Sequence, residues 1–446
     1  MQTSGPTTPV LARTFRERLE GFLAPLLVRL DEQLDRRLVK TFAATIEILL
    51  QNRYRSTGLL LSELGAFLIS PEHAPAGTKR LSNLLRSKRW SADLLSDYLW
   101  EQATGRLQDL ICRARNPLVI WDESVLEKPE SIALEGLGSV RSTKAQRLKR
   151  IRKGYYNPPS GPPVVVPGLH WLGLLLIGSS GPPTLAAMRW WTNRGERAEE
   201  KRAVEGSLLE QCSAAWGKAV IHVFDRGFAG APWLAALVQV DARFIMRWSK
   251  AYHLWTETGE EAPAWMFTRG RKTRSYRSVW DSRTKQYSRR GALAVPVRHP
   301  VYPGPLWLVV ARRGKGHEPW YLLTNELADT PAAIWKVVFA YARRWQIEMA
   351  FRFCKTELLM QSPRLWAWEN RLKLLLIVSL VYAFLLSLLD PLLSSFRDTL
   401  LQRFCPRTGK RSRDTPTPLY RIRIALDFLQ LSTGPPFLAL RRESSG

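Results

Sequence analysis

Acidic residues are scarce in this chain: 39 Asp and Glu stand against 66 Lys and Arg, a formal net charge of +27. An imbalance on this scale predicts attraction to a polyanion, nucleic acid before an anionic membrane. A ribosomal or otherwise merely basic protein would show the same balance, and charge confers affinity without sequence specificity or chemistry. Cysteine is equally sparse. Cys112, Cys212, Cys354 and Cys405 are far apart and the six histidines are scattered, so no zinc pattern is present and a reducing compartment is compatible. No glycine-rich phosphate loop occurs, so ATP use is not indicated. The N-terminal stretch MQTSGPTTPVLARTFRERLE lacks a secretory apolar core. Long hydrophobic runs are lacking too, with one exception. Leu374 to Leu389 has 16 residues without a charge, short of the roughly 20 that span a bilayer, and Asp390-Pro391 ends it, so a buried core helix is expected rather than a membrane anchor.

A chain of 446 residues can bury a large core and usually divides into two to four domains. Residues 1–110 carry leucine patterns at three- and four-residue intervals, the mark of amphipathic helices. They end in a basic stretch, Lys79 to Trp90, that fits a DNA-facing element or, equally, a solvated helix face. Residues 111–248 alternate apolar strand-like runs (PLVIWDESVL, VVVPGLHWLGLLLIG, LAAMRWWT, KAVIHVFDRG, ARFIMRW) with helical segments, which predicts a mixed α/β sheet with both faces covered. Residues 249–328 change texture, with short strands and no long helix, and read as a β-rich insertion. Within 329–362, Thr330 as N-cap and Pro331 in the first turn predict one helix running to about Met360. Residues 363–446 hold the apolar helix and a basic tail.

Three acids stand out. Asp122 in VIWDES and Asp225 in HVFDRG follow apolar residues that should be buried, where an unpaired carboxylate is costly. Backbone amides or Arg226 would satisfy such strand-end aspartates without any chemistry. Glu348 lies in YARRWQIEMAFRFCK, where Tyr341, Arg344, Glu348 and Lys355 project into a wedge roughly 60° wide on a helix, with Arg352 close by. Phe339, Met349, Ala350 and Phe353 are expected on the opposite, core-facing side, and Glu357 lies about opposite Glu348. Surface ion pairs would explain this stripe cheaply. Convergence of Asp122, Asp225 and Glu348 would instead make an oxygen-only site suited to Mg²⁺ or Mn²⁺, where two ions activate a water or a 3′-hydroxyl at a phosphodiester.

With Tyr341, Arg344, Glu348 and Lys355 complete as Tyr-x2-Arg-x3-Glu-x6-Lys, and with WDES and FDRG in order before them, the chain resembles bacterial cut-and-paste DDE transposases of the insertion sequence family four, transposon five-like branch. The resemblance implies an α/β fold: an RNase H-like catalytic core carrying Asp122, Asp225 and Glu348, a β-rich insertion between the second and third acids, and flanking helical regions. It implies transposon-end and target double-stranded DNA as partners, end recognition by residues 1–110, a homodimer in the synaptic complex supported by the C-terminal region, and residence on DNA in the bacterial cytoplasm with no membrane. Tyr341, Arg344 and Lys355, with Arg352, would contact phosphate near the cut end, and a pair of Mg²⁺ ions, or Mn²⁺, would sit on the acids. Relatives stack a flipped base on an insertion tryptophan; Trp320 is expected in that role, with Tyr321 as its rival. Two basic patches, Lys144, Arg147, Lys149, Arg150, Arg152 and Lys153, and Arg269, Arg271, Lys272, Arg274 and Arg277, suit a phosphate track, although solvated loops have the same composition. A catalytically inactive, transposase-derived DNA-binding or repressor protein would keep these features as well.

Overall fold

The computed structural model describes residues 7–53, 58–131, 133–142, 163–273, 275–281, 286–314, 316–406 and 419–433. Five helices come first: α1 (Thr8–Gln33), α2 (Arg36–Gln51), α3 (Leu61–Leu68), α4 (Ala74–Arg86) and α5 (Asp93–Cys112). Their apolar stripes do what the spacing predicts, and Phe15, Leu19, Leu23, Phe42, Ile46 and Leu84 enter one core. Asp35 starts α2 by accepting from the Arg37 and Leu38 amides at 2.9 and 3.0 Å.

The middle of the chain supplies β1 (Leu118–Glu127), β2 (Gly138–Arg141), β3 (Val165–Ile177), β4 (Thr184–Trp191), α6 (Lys201–Trp216), β5 (Ile221–Phe224), α7 (Ala231–Gln239) and β6 (Arg243–Arg247). It continues with β7 (His253–Trp255), β8 (Glu261–Pro263), β9 (Ser275–Asp281), β10 (Gln286–His299), β11 (Tyr302–Arg312) and β12 (Trp320–Thr324). The helices α8 (Pro331–Ala342), α9 (Trp345–Thr356), α10 (Trp368–Ser387), α11 (Ser394–Phe404) and α12 (Leu419–Thr433) follow.

Among the described residues the strands form one open sheet in the order β2-β3-β1-β5-β6-β12-β11-β10-β7-β8, with β4 on β3 and β9 on β10. Strands β1, β3 and β4 make an antiparallel meander, and β5 and β6 add in parallel beside β1. Helices cover both faces. Ile120, Trp171, Leu175 and Val223 meet α9 and α10 on one side, while Val119, Trp121, Leu174 and Phe224 meet α6 and α7 on the other. Burial on both faces explains why these strands read as unbroken apolar runs. The result is a mixed α/β, RNase H-like core with helical flanks. Residues 249–328 extend that same sheet: β12 pairs with β6, Leu323 opposite Met246, and β11 and β10 follow outward.

The single helix expected from Thr330 to about Met360 is two helices. Thr330 does cap α8, accepting from the Ala333 amide at 3.2 Å. Arg343 and Arg344 then form a tight turn, the Arg344 amide bonding to the Tyr341 carbonyl at 3.0 Å, before α9 begins. Arg343 and Arg344 both keep right-handed helical dihedrals, and their side chains are anchored apart, Arg343 donating to the Gly181 carbonyl and Arg344 to Asp122. The expected faces are corrected as well. Ala350 and Phe353 are buried, but Phe339 and Met349 are exposed, and Tyr341 is buried.

Helix α10 begins before the apolar run that marks it in the sequence. By length and composition it could cross a bilayer, yet 83% of its apolar window is buried inside the fold. Its buried cations are held by main-chain carbonyls: Arg371 by Leu365 and Glu135, Lys373 by Leu85 and Ser87.

Candidate active site

Strand pairing brings the first two acids side by side. Ile120 lies opposite Val223 on parallel strands, so Asp122 and Asp225, each two residues on, leave the sheet on the same face and at the same level. Asp225 sits just past the end of β5, where its carboxylate accepts from the Gly227 amide and starts a short 3₁₀ turn. Asp122 accepts from the Glu123 amide at 2.8 Å.

The third acid arrives on α9, which lies along β1. Arg344 at its start donates to Asp122 at 2.9 Å and also to Glu348 one turn later. Lys355 at its end donates to Ser124 at 2.7 Å, on the same face of β1 as Asp122. Between these anchors Phe351 crosses over Gly173, the register partner of Asp122. A Cβ at Gly173 would lie 2.8 Å from the Phe351 ring, so glycine is what lets the helix approach this closely.

The electrostatics of the cluster are strained. Burial pushes the Asp122 carboxyl up to about 7 against the pull of Arg344, with the charge of Asp225 adding to the rise. Glu348 is also raised, first by burial, with Arg344 opposing. The Arg344 side chain is only 12% exposed and the Asp122 side chain 15%, so one guanidinium serves more negative charge than it neutralises. Burial lowers Lys355 to about 8, with Glu127 opposing.

The structure thus brings Asp122, Asp225, Glu348, Arg344 and Tyr341 together, with Lys355 farther along β1. Tyr341 is raised by burial, with Arg344 and Arg247 nearby opposing. Arg352 is exposed on α9. Trp320 is half-buried beside the cluster, its ring 5.1 Å from that of Tyr341 and one face covered by the Arg290 guanidinium at 4.0 Å. Tyr321, one residue on, is buried in the opposite core. Arg269, Arg271, Lys272 and Arg277 are exposed, with Arg269 over Trp265 at 5.7 Å and Arg277 over Trp335 at 5.8 Å. Arg274 and the patch Lys144, Arg147, Lys149, Arg150, Arg152 and Lys153 lie outside the described residues. Glu357 pairs with Arg53 at 2.7 Å, away from the acids.

Sequence reading missed Arg247, Ser124 and Arg290. Arg247 had a usable signal, since it closes the apolar run FIM just as Asp225 closes IHVF. Ser124 had a weaker one, two residues beyond Asp122 on the same strand face.

In kind, the donor set fits a hard divalent cation, being three carboxylates with no sulfur or imidazole. The raised Asp122 and Glu348 are what carboxylates short of positive charge show. The described residues contain no ready-assembled group of three metal-ligating side chains; in this conformation the Arg344 guanidinium stands between Asp122 and Glu348.

Residues 189–384 match the family model for the transposase DDE domain. That segment includes Asp225, Arg344, Glu348 and Lys355 and begins after Asp122. No curated protein matches the chain. Among solved structures, a piggyBac transposase synaptic complex with hairpin DNA, studied by electron cryomicroscopy, aligns at 12% identity over 97% of this chain and 83% of its own, with a TM-score of 0.40.

Proposed function

We propose that this protein is a DDE transposase of the Tyr-Arg-Glu-Lys branch, which cuts DNA at transposon ends and joins the freed 3′-hydroxyl to target DNA. The observation that carries the reading is that Asp122 and Glu348 share one guanidinium while Asp225 stands at the level of Asp122 on the neighbouring parallel strand. Surface decoration would leave Asp122 and Glu348 at ordinary acidity in water; here burial raises both.

In this reading Asp122, Asp225 and Glu348 hold divalent magnesium or manganese, two ions per site. When bound, the ions supply Lewis-acid activation of the attacking oxygen and neutralise charge on the phosphate. Arg344 leaves the acids for a phosphate oxygen, which its planar fork can engage bidentately. Lys355, still largely protonated at neutral pH, holds the backbone farther along β1, and Tyr341 lies with its ring under the Arg344 guanidinium. In the first step a water oxygen bonds to phosphorus, the bond from phosphorus to the 3′-oxygen breaks, and that oxygen leaves as a 3′-hydroxyl. In the second, the hydroxyl attacks a target phosphorus, loses its proton and expels the target's own 3′-oxygen. Two ends must be joined to one target, so a homodimer on DNA is proposed, acting in the bacterial cytoplasm.

The test uses purified protein, Mg²⁺, duplex DNA bearing the flanking inverted repeat with a labelled 3′ strand, and a plasmid target. The expected products are a nick at the repeat boundary and transfer of label to the plasmid in proportion to pre-cut end supplied. Specific binding without either product would favour the catalytically inactive DNA-binding or repressor reading.

A further inference from the structure

The N-terminal helices carry a surface that the active site does not use. Helices α3 and α4 pack through glycine: a Cβ at Gly77 would lie 2.1 Å from the Gly65 carbonyl oxygen, and one at Gly65 would lie 2.4 Å from the Thr78 amide. Thr78 adds a bond to the Leu61 carbonyl at 3.2 Å. The pair is therefore a close-packed helical hairpin of fixed crossing.

Helix α4 has two distinct faces. Gly77, Leu81, Leu84 and Leu85 are buried, whereas Ala76, Lys79, Arg80, Asn83 and Arg86 are exposed within an arc of about 120°. Residues 74–86 contain no acid; the nearest is exposed Glu72, before the helix starts.

The far end of α4 is tied to the catalytic core. Lys373 on α10 donates to the Leu85 and Ser87 carbonyls at 3.2 and 2.7 Å, and the Trp90 indole donates to the Leu84 carbonyl at 2.8 Å. A surface helix held this firmly at one end, while presenting cations and an amide at the other face, is built to meet something rigid.

We infer that α4 is a reading helix: its exposed face enters the major groove of double-stranded DNA, with Arg80 and Asn83 on base edges and Lys79 and Arg86 on the flanking phosphates. The chemistry matches. A helix with its side chains fills a major groove about 12 Å wide. Arginine pairs with two acceptors on guanine and asparagine with the donor and acceptor of adenine, and the cations meet phosphate charge. The inference deepens the transposase reading and rests on it for which DNA is read, namely the transposon end.

The test measures binding of the full chain to end DNA and to a shuffled duplex of equal length, across a salt series. Arg80→Ala and Asn83→Ala are each expected to cut the ratio of specific to shuffled affinity by about 10-fold. Lys79→Ala should weaken both duplexes alike and lower the salt slope by about one. All three positions are exposed, so thermal unfolding should match the wild type. Discrimination retained within about twofold by both Arg80→Ala and Asn83→Ala overturns the inference, whatever the cleavage result. A wild type that discriminates between the duplexes through these residues but never cuts leaves α4 as the reader and removes the catalytic reading instead.

Discussion

Asp122→Asn, Asp225→Asn and Glu348→Gln should each abolish strand cleavage at transposon-end DNA, lowering the rate on the order of 10³-fold or more, while leaving binding of that DNA within a few-fold. Each substitution keeps the side chain's shape and a hydrogen-bonding oxygen. Each removes a charge that a divalent cation needs. Asp122 and Asp225 stand at one level on neighbouring strands, and Glu348 on α9 shares Arg344 with Asp122. Glu357 is committed to Arg53. Cleavage assays on saturating end DNA, with binding measured in parallel, separate this loss from a loss of affinity. A variant that cleaves like the wild type takes its residue out of the assignment.

Arg344→Ala should destabilise the DNA-free protein by about 3 kcal/mol near pH 8, because it leaves buried carboxylates without their counter-charge. The loss should shrink to about 1 kcal/mol near pH 5. The direction follows from Asp122. Its folded-state acidity is weakened to about 7, above the ordinary aspartate value of about 4, so stability from this group is present at low pH and lost as pH rises through 7. Removing Arg344 moves that transition higher still, so Asp122 is neutral and harmless near pH 5 and costly near pH 8. Glu348, a third of whose side chain meets solvent, contributes less. Urea unfolding of wild type and variant at the two pH values measures the difference. An equal loss at both would mean that Arg344 acts by packing rather than by charge.

Much of the site was legible because carboxylates in apolar strands are expensive, and VIWDES and HVFDRG advertise that expense in the chain itself. The Tyr341, Arg344, Glu348 and Lys355 stripe was legible as a spacing, but its geometry was not. No proline or glycine marks the break at Arg343 and Arg344, whose side chains are anchored on Gly181 and Asp122, both distant in sequence, and the exposure of Phe339 and Met349 depends on such packing. Ser124 and Arg247 were overlooked for a related reason. A lone serine or arginine at a strand end costs little, so only the bond from Lys355 to Ser124 and the nearness of Arg247 to Tyr341 give them meaning. Helical periodicity found the N-terminal helices, whereas the contact between Gly65 and Gly77 depends on how two of them cross. That β12 would pair with β6, extending the core sheet, was likewise a long-range choice that strand-like composition does not encode.

Whether Asp122, Asp225 and Glu348 together hold divalent cations is tested most directly by letting the cation mark its own ligands. With ferrous iron replacing magnesium on the DNA-bound chain, ascorbate and peroxide release hydroxyl radicals that cut the nearest backbone. The expected fragments end near residues 122, 225 and 348, appear together, and vanish together when excess Mg²⁺ is added or when Glu348→Gln is introduced. Fragments at only one of these positions, or a pattern indifferent to Mg²⁺ and to Glu348→Gln, would contradict a shared metal site.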